Sequence, residues 1–77
     1  MDIREVFATN LKRLRHERGL SQEELAHRAD IDRTYVSSLE RSVYAAGIDV
    51  VDRIARVLGV EAADMLRRPD ARNTKTD

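Results

Sequence analysis

The chain has 77 residues, which is enough for one domain and too few for the substrate cleft and second domain of most metabolic enzymes. It contains no cysteine, which excludes disulfide bonds, thiolate metal sites and a cysteine nucleophile. Fourteen Lys and Arg residues balance fourteen Asp and Glu residues, so the chain lacks the bulk positive charge typical of nucleic-acid-binding proteins. Any nucleic-acid surface must therefore come from local placement of charges.

Membrane, secretory and catalytic signals are weak in this sequence. No apolar run approaches the ~20 residues of a membrane span, and residues 1–5 lack the apolar segment of a signal peptide. The sequence has no nucleophile–base pair at interpretable spacing, no phosphate-binding glycine loop and no cluster of metal ligands. We therefore expect a cytoplasmic protein that is not an enzyme and uses no cofactor, metal or small-molecule substrate.

The apolar residues recur with helical period, and Pro69 and three glycines are the only strong breakers. The sequence therefore predicts an all-α fold with five helices. The first predicted helix covers residues 2–18 and ends at Gly19, which is suited to a left-handed C-cap. Its inward stripe consists of Ile3, Phe7, Leu11 and Leu14.

The second predicted helix covers residues 22–28. Ser21 and Glu24 fit a capping box, in which each side chain accepts a hydrogen bond from the other residue's backbone N–H. The third helix follows Asp32, a good N-cap residue. On a helical wheel its inward face holds Val36, Leu39 and Glu40, and its outward face holds Thr34, Ser37 and Ser38.

The fourth predicted helix covers residues 48–58 and is closed by Gly59. Its inward residues are Ile48, Val51, Ile54, Ala55 and Leu58. A short fifth helix is predicted for residues 61–66. We expect residues 1–68 to form one domain and residues 69–77 to form a disordered polar tail.

Four segments, in this order and at these spacings, resemble the Cro/phage-repressor (XRE) type of helix-turn-helix transcriptional regulator. They are residues 11–15 (LKRLR), 19–26 (GLSQEELA), 32–41 (DRTYVSSLER) and 54–60 (IARVLGV). Within this family, the segment 32–37 on so small a domain resembles the controller proteins of restriction–modification systems. The resemblance covers most of the chain and implies a compact five-helix, lambda-repressor-like DNA-binding domain.

The resemblance implies that the second and third helices form the helix-turn-helix, with the third helix in the major groove. Arg33 is our best candidate for direct readout, because a guanidinium can donate two hydrogen bonds to guanine. The alternative for Arg33 is a solvated side chain or a partner of a nearby acid. The further predicted DNA contacts are Thr34, Tyr35, Ser37 and Ser38. Of the two serines, Ser38 is the better candidate for reading bases. The alternative for Tyr35 is packing at the domain edge.

Phosphate contacts are predicted for Gln22, at the first turn of the second helix, and for Arg41, at the end of the third. The alternative for Gln22 is solvated surface. The family pairs the positions of Arg15 and Glu40 in an inward salt bridge, so we predict a structural pair and assign it no direct readout. For Lys12, Arg13 and Arg18 the sequence leaves two alternatives: nonspecific attraction to phosphates, or a solvated surface with no DNA role.

The segment after the recognition helix departs from the family pattern. The family usually has a glycine followed by basic or Asn-Pro residues there, whereas this chain has residues 42–47 (SVYAAG). Fewer phosphate contacts predict a shallower salt dependence of DNA binding. For Val43 and Tyr44 the sequence leaves three alternatives open: packing on the body, a subunit contact or an apolar DNA contact.

One such domain reads only half a site, so we predict a homodimer that binds a (pseudo)palindromic operator and is nucleoid-associated. The candidate dimer residues are Val50, Val57, Ala62 and Met65, with completion of the monomer core as the alternative. The predicted function is sequence-specific transcriptional regulation. The alternative is an antitoxin or partner-adapter protein that uses the same domain to bind another protein.

Overall fold

The computed structural model describes residues 2–69, and the predicted disordered tail lies outside them except for Pro69. The described chain is all-helical, as predicted, and the predicted helix boundaries hold to within one residue at each end. The helices are α1 (Ile3–Glu17), α2 (Gln22–Ala29), α3 (Arg33–Glu40), α4 (Ile48–Leu58) and α5 (Ala62–Met65). None of the helices within residues 2–69 is long and apolar enough to cross a membrane.

Helix α1 is closed at both ends by local hydrogen bonds. At its start, Asp2 accepts from the backbone N–H of Arg4 at 2.7 Å, and Glu5 accepts from that of Asp2 at 3.1 Å. At its end, Gly19 adopts a left-handed φ of 69°, as predicted. The following N–H of Leu20 then reaches back to the carbonyl of Arg15 at 3.1 Å. The glycine thus allows the chain to reverse directly into α2.

Helix α2 has half of the predicted capping box. The Oγ of Ser21 accepts from the backbone N–H of Glu24 at 3.0 Å. The Glu24 carboxylate instead lies 3.8 Å from the guanidinium of Arg28 one turn later, which attracts it along the helix. The helix ends at Asp30, whose φ of 59° makes it a left-handed C-cap without being glycine.

Helix α3 is also bounded differently from the prediction. Asp32 occupies the extended N-cap position, but its side chain accepts no capping hydrogen bond. At the other end Ser42 takes a left-handed φ of 62°, and the N–H of Val43 returns to the carbonyl of Ser38 at 3.0 Å. Ser42 therefore adopts a left-handed backbone conformation that favours glycine.

A single hydrophobic core lies between the helices. Helix α3 packs against α1 and α2, while α4 packs against α2 and α5, and α5 closes against α1. The largest fully buried side chains include Leu11, Leu25, Leu39, Ile54, Leu58 and Met65. Because α2 and α3 both rest on this core, the helix-turn-helix is held as a rigid pair.

Several predicted apolar positions lie elsewhere. Ile48 and Ile3 were expected inside, but their exposed fractions are 88% and 47%. Each is the first residue of its helix, and both line one open groove instead of entering the core. Met65 was expected at a dimer interface, and that prediction is wrong, because it is fully buried between α5 and the rest of the core. Its side chain cannot reach a partner in the folded monomer.

The other three candidate dimer residues follow the alternative that they complete the monomer core. They are half-buried and pack against it: Val50, Val57 and Ala62. The large apolar side chains exposed in residues 2–69 are instead Ile3, Val43, Tyr44, Ile48 and Leu66.

Two polar side chains, one in α1 and one at its C-cap, tie distant segments together. Asn10 is 2% exposed, and its amide donates to the carbonyls of Met65 at 2.8 Å and Arg67 at 3.0 Å. Arg18 Nε donates to the carbonyl of Leu58 at 2.8 Å, which satisfies one of the last carbonyls of α4. These three hydrogen bonds stabilise the C-terminal half of the fold against the N-terminal segment.

Candidate nucleic-acid interface

The first turn of α3 presents the side chains predicted to read bases. Arg33 and Thr34 are exposed. Arg33 borders a shallow groove together with the N-cap Ser21 and with Glu23 and His27 of α2. Within residues 2–69 the guanidinium of Arg33 forms neither an ion pair nor a hydrogen bond, so its donors are available to an external acceptor.

The middle of α3 is less exposed than the sequence suggested. Tyr35 and Ser37 are half-buried, and Tyr35 packs against the edge of the hydrophobic core. This is the packing role that the sequence left open for Tyr35, and it fixes the ring beside the exposed first turn.

The burial of Ser38 contradicts the predicted outward face of α3. Its exposed fraction is 6%, so the prediction that it points outward is wrong. The wheel assumed one buried face, but α3 packs against both α1 and α2. In addition, the chain after Ser42 turns back over this end of the helix, where Val43 bonds to the Ser38 carbonyl.

Arg41 follows the last residue of α3 and is exposed. Its Nε donates to the carbonyl of Ser37 at 3.3 Å, which holds the guanidinium beside the helix end. Arg33 and Arg41 lie at opposite ends of α3, about 12 Å apart along its axis at the usual rise per residue. The two arginines therefore mark the two ends of α3.

Beneath the C-terminal end of α3, Arg15 pairs with Glu40 in the interior. The guanidinium is bidentate: Nε donates to Glu40 Oε2 at 2.6 Å and Nη2 donates to Oε1 at 3.0 Å. The side chains are 10% and 3% exposed. The remaining terminal nitrogen of Arg15 donates to the carbonyl of Leu20 at 2.9 Å. The pair therefore joins α1, the turn before α2, and α3.

The hydrogen bonds around Glu40 decide its ionisation. Burial by itself raises the pKa of the Glu40 carboxyl, but the hydrogen bonds from Arg15 and Gln22 outweigh burial and hold the pKa below its ordinary value. Arg15 and the nearby ammonium of Lys12 add attraction in the same direction. Glu40 is therefore a carboxylate at neutral pH and acts only as a hydrogen-bond acceptor.

Gln22 has a partner that the sequence did not reveal. Its Nε2 donates to Glu40 Oε1 at 3.0 Å, so the predicted phosphate contact and the predicted structural pair form one hydrogen-bonded group. The two residues are 18 positions apart on different helices, and no local pattern links them. A family resemblance gives each position a role but says nothing of the bond between them.

The positive charges of the molecule fall into two classes. Most arginines lie within 4 Å of a carboxylate, among them Arg13, Arg18, Arg28, Arg53, Arg56 and Arg67. In the described part of the chain no ion pair involves Lys12, Arg33 or Arg41. Arg13 and Arg18 are thus occupied by Glu17, and Arg28 of α2 by Glu24, whereas Arg33 and Arg41 at the two ends of α3 form no ion pair within residues 2–69.

Comparison with known proteins agrees with this architecture. The helix-turn-helix family HTH_3 matches residues 11–65, which include all of α2, α3 and α4. A hypothetical transcription factor from Neisseria meningitidis serogroup B is 41% identical over 71 residues, covering 92% of this chain and 67% of that protein. The control protein C.BamHI of Bacillus amyloliquefaciens is 35% identical over 66 residues, covering 84% and 82%.

A solved structure with the same fold contains DNA. The structure described as C.Esp1396I bound to a 25 base pair operator site aligns with a TM-score of 0.76 and 29% identity. The alignment covers 84% of this chain and 86% of that one. Family, relatives and fold agree, and the chain belongs to the XRE-type helix-turn-helix family of transcriptional regulators.

Proposed function

We propose that the protein regulates transcription by binding a (pseudo)palindromic operator as a homodimer, with α3 of each protomer in the major groove. Its relatives are named as transcription factors and control proteins, and a structural neighbour is described on operator DNA. Those names support regulation through DNA rather than catalysis.

The observation that carries the proposal is the distribution of unneutralised cations. Arg33 and Arg41 flank the exposed edge of α3, and neither forms an ion pair within the described residues. Lys12 lies near Glu40, beneath the same end of the helix as Arg41. Arginines that are unpaired within residues 2–69 at the ends of α3 can attract phosphates there without the chain being basic overall.

The side chains divide by the part of the DNA that each can reach. Arg33 and Thr34, on the first turn of α3, are the candidates for base edges, since the first residues of a recognition helix enter the groove most deeply. Gln22 and Arg41 lie at the edges of this surface and are the candidates for phosphates. Tyr35 and Ser37 are half-buried, so each can offer only one exposed edge of its side chain to the DNA. Ser38 is excluded from this assignment by its burial.

The dimer surface we propose is the apolar corner, which we define as Ile3, Ile48, Ala63 and Leu66. These residues line one groove at the starts of α1 and α4 and the end of α5. Exposed apolar side chains gathered in one place are typical of an interface. The corner lies on helices other than α2 and α3, so a second copy there leaves both recognition helices free. A single α3 spans only part of a half-site, which makes a second copy the appropriate occupant.

The DNA-binding proposal is tested by fluorescence anisotropy against the DNA upstream of the gene at several salt concentrations. We expect salt-sensitive binding that falls to the nonspecific level in Arg33→Ala, because the variant loses a bidentate base contact. Arg56→Ala is the matched control, since Arg56 is an exposed arginine on α4 that is already paired with Asp52 at 3.1 Å. Binding that is absent, or that survives Arg33→Ala unchanged, contradicts the proposal and favours a partner-adapter role.

The dimer is tested separately by sedimentation equilibrium. Ile48→Asp should raise the dimer dissociation constant at least about tenfold, because each interface loses two buried isoleucines and gains two charges. The helix content should not change, since Ile48 contributes little to the monomer core. Val43→Asp, an exposed apolar residue outside the corner, is the control. A dimer that tolerates Ile48→Asp but not Val43→Asp would place the interface elsewhere.

A further inference from the structure

The hydrogen bond between Gln22 and Glu40 connects a surface amide to a buried ion pair. Glu40 is 3% exposed at its side chain and accepts three hydrogen bonds, two from Arg15 and one from Gln22. Because the guanidinium holds both carboxylate oxygens, the carboxylate cannot rotate without breaking a bidentate contact. It therefore presents a fixed acceptor to the first turn of α2.

The fixed acceptor determines the orientation of the Gln22 amide. An ionised carboxylate can only accept, so the NH₂ group of Gln22, and not its carbonyl, must face Glu40. A primary amide is planar and has two N–H donors. When one N–H is bound to Glu40, the direction of the other N–H is set as well. Gln22 is half-buried at the first helical position of α2, directly after the N-cap Ser21, so the residue that carries this second donor lies at the N-terminus of the helix.

Charge balance makes the arrangement compatible with an approaching phosphate. The negative charge of Glu40 is compensated by the bidentate Arg15, and Lys12 is near enough to attract the same carboxylate. The neutral amide of Gln22 then lies beside the backbone N–H groups that begin α2, with the Glu40 carboxylate buried behind it. The exposed carboxylates of Glu23 and Glu24 lie on the same first turn, so a phosphate must approach on the Gln22 side of the helix.

We propose that Glu40 is a positioning residue for DNA binding, which holds the Gln22 amide so that its second N–H donates to a backbone phosphate. The inference rests on the proposed function. It assigns the buried ion pair a role in affinity as well as in folding. A free glutamine side chain loses rotamer freedom when it binds a phosphate, whereas Gln22 has already lost that freedom in the folded protein.

The test is a double-mutant cycle on operator affinity, with Gln22→Ala, Glu40→Gln and the double variant, each confirmed as folded by circular dichroism. Gln22→Ala should weaken binding roughly tenfold, the effect of one hydrogen bond to a charged group. Glu40→Gln should weaken binding severalfold when Gln22 is present and not at all in the Gln22→Ala background. Equal effects in both backgrounds would show a purely structural role and overturn the inference.

Glu23→Gln is the matched control, because it makes the same carboxylate-to-amide change at an exposed neighbour of Gln22. It should have the same effect on affinity in both backgrounds. Coupling to Gln22 as large as that of Glu40 would mean that the cycle measures general electrostatics, and that result also overturns the inference.

A second measurement does not require Glu40→Gln to fold. In the free protein, nitrogen-15 relaxation should show the Gln22 side-chain amide as rigid as the backbone, and Gln22→Ala should raise the pKa of the Glu40 carboxyl followed by carbon-13 NMR. A mobile Gln22 amide, or an unchanged Glu40 titration, overturns the inference even if DNA binding is normal. Operator binding that is unchanged in Arg33→Ala would contradict the proposed function. A double-mutant cycle that shows no coupling between Gln22 and Glu40 would contradict only the inference made here, so the two failures can be told apart.

Discussion

Helix α1 contains two buried polar side chains, Asn10 and Arg15, and they fasten different parts of the molecule by different chemistry. Asn10 is neutral and binds the carbonyls at the end of α5. Arg15 is charged and binds Glu40 at the end of α3. The comparison teaches that the apolar corner is held by hydrogen bonds insensitive to pH, whereas the recognition helix is held by an ion pair that acid can break.

The largest expected effect comes from removing one charge of the ion pair. Arg15→Met should lower the free energy of unfolding by about 3–5 kcal/mol, because Glu40 is left buried without its partner. Urea denaturation followed by circular dichroism measures this loss. The exposed pair Arg56–Asp52 is the control, and Asp52→Asn should cost no more than about 1 kcal/mol. If Arg15→Met lowered the free energy of unfolding by less than about 1 kcal/mol, Glu40 would have to be accessible to water.

A smaller effect is expected on the other side of α1. Asn10→Ala should lower the free energy of unfolding by about 1–3 kcal/mol, since two carbonyls lose their donor. Hydrogen exchange should then rise in α5 and stay unchanged in α3. If hydrogen exchange rose equally in α3 and α5, Asn10 and Arg15 would not attach α1 to these two helices independently.

The ion pair and the amide should also differ in their response to pH. The pKa of Glu40 is lowered in the folded protein, so its contribution to stability is fully present above the ordinary value of 4.5 and is lost as pH falls through the lower folded value. Asp2 and Asp64 have lowered pKa values for the same kind of reason, namely hydrogen bonds to their carboxylates, and act in the same direction. Urea midpoints between pH 7 and pH 3 should therefore fall in the wild type and fall less in an Arg15→Met/Glu40→Met variant. Asn10→Ala should leave the slope unchanged.

The smallest expected effect is an increase in the free energy of unfolding. Ser42 has a φ of 62°, a conformation that costs a non-glycine residue free energy. Ser42→Gly should raise the free energy of unfolding by up to about 1 kcal/mol and stabilise the end of α3 that carries Glu40. Gly59→Ser is the opposite substitution at a left-handed position of α4 and should destabilise. A stability loss in Ser42→Gly would show that the serine side chain matters more than its backbone strain.

The sequence was sufficient for the helices and insufficient for several side chains. Apolar period and the left-handed glycines Gly19 and Gly59 locate the ends of α1 and α4, because those signals are local. The exposure of Ile48 and the burial of Ser38 depend on where a helix meets its neighbours, which no helical wheel contains. The bond between Gln22 and Glu40 was missed for the same reason, since it joins two helices that only the tertiary fold brings together.

The separation of paired from unpaired cations has a kinetic consequence. Arginines that lie beside a carboxylate contribute little field at a distance, whereas Arg33 and Arg41, which form no ion pair within residues 2–69, contribute a local positive field at the two ends of α3. Near a DNA duplex a chain of zero net charge gains little attraction as a whole, but these local cations are drawn toward the phosphates. The charge pattern should therefore set the angle at which the protein arrives more than the rate at which it arrives, and a larger fraction of encounters should begin with the recognition helix already facing the groove.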